Sequence, residues 1–136
     1  MSQQAASGVV IVGAGHAGGT AAALLRQYGY EGAITVVGDE PIAPYQRPPL
    51  SKAWLKGEAD ADSLALRPVS FYAEQNIDLV LNVAVTAIDR AGKTVSLADG
   101  RTLAYEHLII ATGARARSLP LPGADLPGVF VLRSAA

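Results

Sequence analysis

Three glycines in Gly13-Ala14-Gly15-His16-Ala17-Gly18 stand at the spacing that lets a backbone cradle a phosphate. Gly13 permits a tight turn off a strand, Gly15 leaves room for a diphosphate against the main chain, and Gly18 lets a helix approach a sheet closely. The turn follows the apolar run Val9–Val12 and opens a small-residue stretch, Ala17 to about Tyr28, that predicts a helix. A helix N-terminus at this point offers unpaired N–H groups and a partial charge of about +0.5, both suited to a diphosphate. A second apolar strand, Ile34–Val37, ends at Gly38-Asp39-Glu40. Asp39 lies roughly 20 residues beyond Gly18, where an acidic side chain can accept from ribose hydroxyls; Glu40 takes that part if the register slips by one. A glycine pattern alone would also describe a plain turn. Strand, turn, helix, strand and acid in this order are what a dinucleotide-binding βαβ unit requires. His16 fills a variable position of the turn and belongs to the binding set by its place, not as an acid–base catalyst.

The elements that must position these residues continue along the chain. Pro41, Pro44, Pro48 and Pro49 make 41–50 a stiff, irregular loop just past the ribose end. Ser51 is expected to cap a short helix over Lys52–Lys56 that Gly57 stops. A further helix is expected over Pro68–Gln75 and a third parallel strand over Ile77–Leu81. The alternation in Val83, Val85 and Ala87, then 93–97, then 101–103, with Ala91-Gly92 and Asp99-Gly100 between, predicts a three-stranded antiparallel meander. His107-Leu108-Ile109-Ile110-Ala111-Thr112-Gly113 reads as a buried parallel strand ending in small residues that a cofactor can approach. Val129–Leu132 reads as a last short strand. The expected fold is α/β, one Rossmann-like domain over residues 1–136 with a parallel central sheet and the meander inserted.

Bulk composition narrows the function. Half of the 136 residues are hydrophobic, 17% are charged and the net charge is −1, the balance of a globular chain rather than a disordered one. No block of lysine or arginine supports nucleic-acid or membrane-surface binding. No apolar run reaches the ~18 residues of a membrane span, and 1–8 lacks the pattern of a signal peptide. The chain has no cysteine, which excludes disulfides, cysteine-ligated clusters and a redox dithiol here and fits a cytoplasmic setting. Two histidines are too few to build a metal site.

Four segments together carry a family resemblance: the glycine turn 13–18, Val36-Val37-Gly38-Asp39-Glu40, Arg47-Pro48-Pro49-Leu50-Ser51-Lys52, and Tyr105 through Gly113. The chain resembles the FAD-dependent ferredoxin reductases of the putidaredoxin reductase and dioxygenase reductase type, within the glutathione-reductase-like flavoproteins, from about Val9 to Arg133. The Arg-Pro-Pro-Leu-Ser-Lys segment is the most specific piece; the disulfide reductases of that class carry their redox cysteines in roughly this region, and this chain carries none. The resemblance implies that Gly13, Gly15 and Ala17 line the FAD pyrophosphate and that Asp39 faces the adenosine ribose. Val85 packs near the adenine, Arg47 and Lys52 reach FAD from the proline loop with Lys52 near the isoalloxazine, and Ala111, Thr112 and Gly113 back onto the cofactor. Arg133 matches a family arginine that reaches FAD. Outside this motif, Arg47 and Lys52 would read as solvated surface charges and Tyr45 and Trp54 as packing beneath the loop.

The implied reaction takes electrons from NADH through FAD to a [2Fe–2S] ferredoxin. Family members continue with an NAD-binding domain, a second FAD segment and a C-terminal domain, so this chain is expected to be the N-terminal FAD segment and to turn over poorly alone. The strand at 108–111 is expected to show an open edge through which copies can self-associate. Rubredoxin reductases, nitrite-reductase reducing modules and apoptosis-inducing-factor-like oxidoreductases share the motifs, and a non-catalytic nucleotide-binding module stays open. Bound flavin separates the flavoprotein readings from that last one.

Overall fold

A computed structural model describes residues 3–4 and 8–136. Its strands are β1 (Gln3–Gln4), β2 (Gly8–Val12), β3 (Ala33–Val37), β4 (Ile77–Val80), β5 (Val85–Asp89), β6 (Thr94–Leu97), β7 (Thr102–Ala104) and β8 (His107–Ile110). Its helices are α1 (His16–Gln27), α2 (Ala61–Leu64) and α3 (Val69–Glu74), with a 3-10 helix over Pro48–Ser51. Two four-stranded sheets result. One is parallel in the order β4-β3-β2-β8; the other runs β1-β7-β6-β5, with β5, β6 and β7 antiparallel and β1 parallel to β7. The meander is present as expected, and the pairing of β1 with it had no signal in two glutamines.

The alternation of β2 and β3 explains the layering. Successive side chains of a strand face opposite ways. Val9, Ile11, Ile34 and Val36 meet Ala22 of α1, Tyr72 of α3 and Ile77 in one buried cluster. Val10, Val12 and Val37 meet Val83, Val95, Leu97 and Leu103 in another. The parallel sheet is therefore the middle layer between helices and meander, which is why its central strands are apolar without interruption. Registers Ile11↔Val36 and Ile11↔Ile109 bring the C-terminal ends of β2, β3 and β8 to one level, so Gly13, Gly38 and Ala111 converge.

Three expectations change. Residues 52–57 form turns, not a helix capped by Ser51. The 3-10 helix already starts at Pro48, where the two prolines need donate nothing, and Lys52 leaves helical space at φ −127 and ψ −111 while its N–H bonds the Pro49 carbonyl. Residues 129–132 form no strand, since they pair with no strand among the described residues; Phe130 is 88% exposed. Strand β8 is parallel and, among the described residues, pairs with β2 alone, so the open edge expected at 108–111 is present; what changes is its burial, with Ile110 62% exposed. Helix α2 was not anticipated; Asp60 caps it by accepting from the Ser63 N–H at 2.8 Å. Helix α3 and strand β4 fall inside their expected ranges.

Candidate functional site

The glycine turn has the expected shape, and the three glycines have different reasons. Gly13 holds φ +114 and donates its N–H to the Val37 carbonyl at 2.8 Å, tying the end of β2 to β3. A Cβ on Gly18 would overlap the Gly13 carbonyl oxygen, so only glycine lets α1 come this close. A Cβ on Gly15 would meet nothing within 4 Å; its space is open. Gly15 is also the N-cap of α1, in extended conformation, with no side-chain cap and no acidic residue in the first turn. The helix therefore presents N–H groups that no carboxylate of its own first turn competes for.

These groups open on a groove made of two adjoining cavities of ≈ 420 and ≈ 680 Å³. Gly13, Asp39, Glu40, Arg47, Thr112, Gly113 and Arg133 line both. Gly15, His16, Ala17 and Ala111 line the first, and Val85 lines the second. Twelve of the fourteen residues expected at the site thus share one groove. Gly18 is buried beneath it as a packing position. Lys52 is on neither wall: its ammonium turns to the Pro48 carbonyl at 3.2 Å and the Ser51 hydroxyl at 3.4 Å, exposed to solvent.

The two acids divide clearly. Glu40 is engaged at both oxygens. Arg47 Nη2 donates to Oε1 at 2.6 Å, and the Tyr45 hydroxyl donates to Oε2 at 2.7 Å. Asp39 is exposed on the groove wall and has no hydrogen-bond partner among the described residues, so of the two acids it is the one whose carboxylate is left open to the groove. Arg47 also donates from Nη1 to the Tyr45 hydroxyl at 2.9 Å and to the Arg133 carbonyl at 2.6 Å, and its guanidinium lies 5.1 Å from the Tyr45 ring centre. Burial pulls Arg47 toward neutrality, but the Glu40 carboxylate and Tyr45 more than offset it and leave its pKa raised. Burial, seconded by the bond to Glu40, raises the Tyr45 phenol.

Sequence reasoning missed Tyr45 as a member of this network, and Arg115 and Ser134 as wall residues of the second cavity. Arg115 had a signal in standing two residues past Gly113. Nothing in the sequence could place Tyr45 against Ala135, 90 positions away.

Fold and groove together define a Rossmann-type dinucleotide-binding domain. The chain belongs to the pyridine nucleotide-disulphide oxidoreductase family, whose model matches residues 7–136. It is 54% identical over 127 residues to rhodocoxin reductase of Rhodococcus erythropolis, covering 93% of this chain and 30% of that protein. It is 52% identical over 113 residues to putidaredoxin reductase of Pseudomonas putida, covering 83% of this chain and 27% of the relative. Among solved structures, a ferredoxin reductase from Rhodopseudomonas palustris superposes with a TM-score of 0.87 at 48% identity, over 95% of this chain and 31% of that one. The covalent putidaredoxin reductase–putidaredoxin complex gives 0.79 at 51% identity, over 86% and 28%. The chain spans less than a third of the length of each.

Proposed function

We propose that this chain is the FAD-binding part of an NAD(P)H-dependent ferredoxin reductase that passes electrons from NADH through FAD to a [2Fe–2S] ferredoxin of an oxygenase system. The observation that carries the reading is the uncapped N-terminus of α1, opening on a groove with an unpartnered carboxylate, in a chain about half identical to reductases of that kind. The residues fit FAD: backbone donors and Arg133 for a diphosphate, Asp39 for a ribose, Val85 for the adenine, and Ala111, Thr112 and Gly113 as a backing of small side chains. The two cavities each fall within the ~300–1,000 Å³ usual for small-molecule sites. FAD, when bound, supplies acceptance of a hydride and delivery of single electrons. The protein's part is to bind, orient and shield. The α1 N–H groups hold negative charge, Asp39 sets the ribose, and Arg47 braces the wall. His16 adds a polar side chain at the groove mouth, and Gly18 keeps the helix close enough for all of this. In this proposal the Lys52 side chain swings from the turn after the 3-10 helix toward the flavin end, where an ammonium stabilises developing negative charge.

The partner reading has a second form. The chain is 52% identical over 93% of its length to a rubredoxin–NAD(+) reductase of Pseudomonas putida, which favours rubredoxin as the alternative acceptor. The unpaired side of β8, with Ile110 exposed, supports self-association of these 136 residues through the sheet edge. No helix among the described residues is long and apolar enough to cross a membrane, and a cytoplasmic site of action belongs to the same proposal. The test is a pair of fluorescence titrations of the purified chain, with FAD and with NADH. Saturable one-to-one FAD binding with weak NADH binding supports the reading; a preference for NADH, or no binding of FAD, overturns it.

A further inference from the structure

Beyond the groove's wall residues lies a clasp that the family motif does not explain. Arg133 reaches the groove from the far end of the chain, on a segment with no strand or helix to hold it. Its side chain donates from Nε to the Ala114 carbonyl at 3.0 Å, and its Nη2 passes 3.2 Å from where a Cβ on Gly113 would stand. Its backbone is held from the opposite side. Arg47 Nη1 donates to the Arg133 carbonyl at 2.6 Å, and the Ala135 N–H donates to the Tyr45 hydroxyl at 2.9 Å. Tyr45 is 4% exposed, and it packs with Leu50 and Leu64 in a cluster that Ala135 joins. Its hydroxyl gives its one proton to Glu40 and accepts from both Arg47 and Ala135, which fills its capacity.

We infer that Tyr45, with Glu40 and Arg47, is a positioning device that fixes residues 133–135 so that the Arg133 guanidinium stands at the junction of the two cavities to meet a diphosphate. Tyr45 does not line the groove and does not touch the ligand; it acts through Arg133. The inference rests on the proposed FAD reading only for the ligand's name, since the chemistry it requires is an anion with two phosphates. A loose segment would have to surrender its conformational freedom on each binding event, whereas a clasped one has already done so.

The test uses the whole chain with Tyr45→Phe, Arg133→Ala and the double variant. Three readouts are taken: affinity for FAD, shifts of the Arg133 Nε–H signal under inorganic pyrophosphate, and hydrogen exchange at the Ala135 amide. Phenylalanine keeps the ring and its packing and removes only the hydroxyl. Tyr45→Phe is expected to lose protection at Ala135 and to weaken FAD binding about tenfold, the usual scale for one net hydrogen bond. It leaves riboflavin, which lacks the diphosphate, unaffected. In the Arg133→Ala background the same substitution is expected to cost nothing further. Additive losses in the double variant, or an equal loss for riboflavin, would make Tyr45 a mere packing residue and overturn the inference. An Ala135 amide that exchanges freely in the wild type overturns it as well, whatever FAD does. Pyrophosphate shifts without FAD binding would leave the clasp standing and remove the FAD reading alone.

Discussion

Replacing Gly15 and Gly18 by alanine, one at a time, separates the groove from the fold that builds it. At Gly18 the new methyl runs into the Gly13 carbonyl oxygen and lies 3.3 Å from the Ile11 Cγ2. Neither neighbour can retreat: Ile11 is fully buried, and Gly13 is pinned to the Val37 carbonyl. Overpacking of a rigid site costs about 1–3 kcal/mol or more, which for a chain of this size lowers Tm by roughly 3 °C per kcal/mol. At Gly15 the methyl meets nothing within 4 Å, and φ is −89, open to any residue. Alanine is a poorer N-cap than glycine, but it stiffens the unfolded chain, so the two effects oppose and leave stability within about 0.5 kcal/mol. The methyl then occupies the space through which a diphosphate reaches the α1 N–H groups. Losing one charge-assisted hydrogen bond of about 1.5–3 kcal/mol weakens FAD binding roughly 10- to 100-fold. Thermal melts by circular dichroism and FAD fluorescence titrations give the two numbers for each variant. Gly15→Ala that melts as early as Gly18→Ala, or that binds FAD like wild type, would refute the assignment of Gly15 to the ligand.

Arg26 donates to four backbone carbonyls, those of Gln75 and Tyr30 at 2.7 Å, Gly32 at 2.8 Å and Asn76 at 3.0 Å. Arg26→Ala is expected to cost about 2–3 kcal/mol in urea unfolding, and lysine, which lacks the fork, to recover little of it. Tyr72 is buried with no partner for its hydroxyl among the described residues, so Tyr72→Phe is expected to be neutral or stabilising by up to about 1 kcal/mol. Burial raises the Tyr72 phenol above its ordinary 10.0; its contribution is thus fully present below the unfolded value and is lost as pH rises through the folded one. Wild-type stability should fall above about pH 10 and Tyr72→Phe should fall less, in melts taken from pH 8 to 11; equal slopes would contradict this. Ile110→Lys places a charge on the open β8 edge and is expected to reduce association of the chain at high concentration, as read by light scattering.

The first βαβ unit was legible because each of its signals is local. Short continuous apolar runs marked β2 and β3, and the glycine spacing marked the turn. Spacing favoured Asp39 with Glu40 as the fallback, but the engagement of Glu40 by Tyr45 and Arg47 folding back onto it had no local signal. Contacts of Arg133 and Ala135 with residues 86 and 90 positions away leave no trace in local pattern. The expected helix at 52–56 failed because two prolines started a tighter helix four residues earlier. Residues 129–132 are apolar enough for a strand, but strands need a neighbour, and none among the described residues pairs with them. Helix α2 did carry a signal, Asp60 three residues before Ser63, in a stretch with too little apolar periodicity to draw notice.

The most direct measurement is the absorption spectrum of the purified chain after incubation with FAD and desalting. Retained flavin bands at one FAD per chain, lost in Gly15→Ala and weakened in Tyr45→Phe, are the expected result. A colourless protein after desalting, with no FAD affinity in the equilibrium titration, would mean that these residues do not hold the flavin.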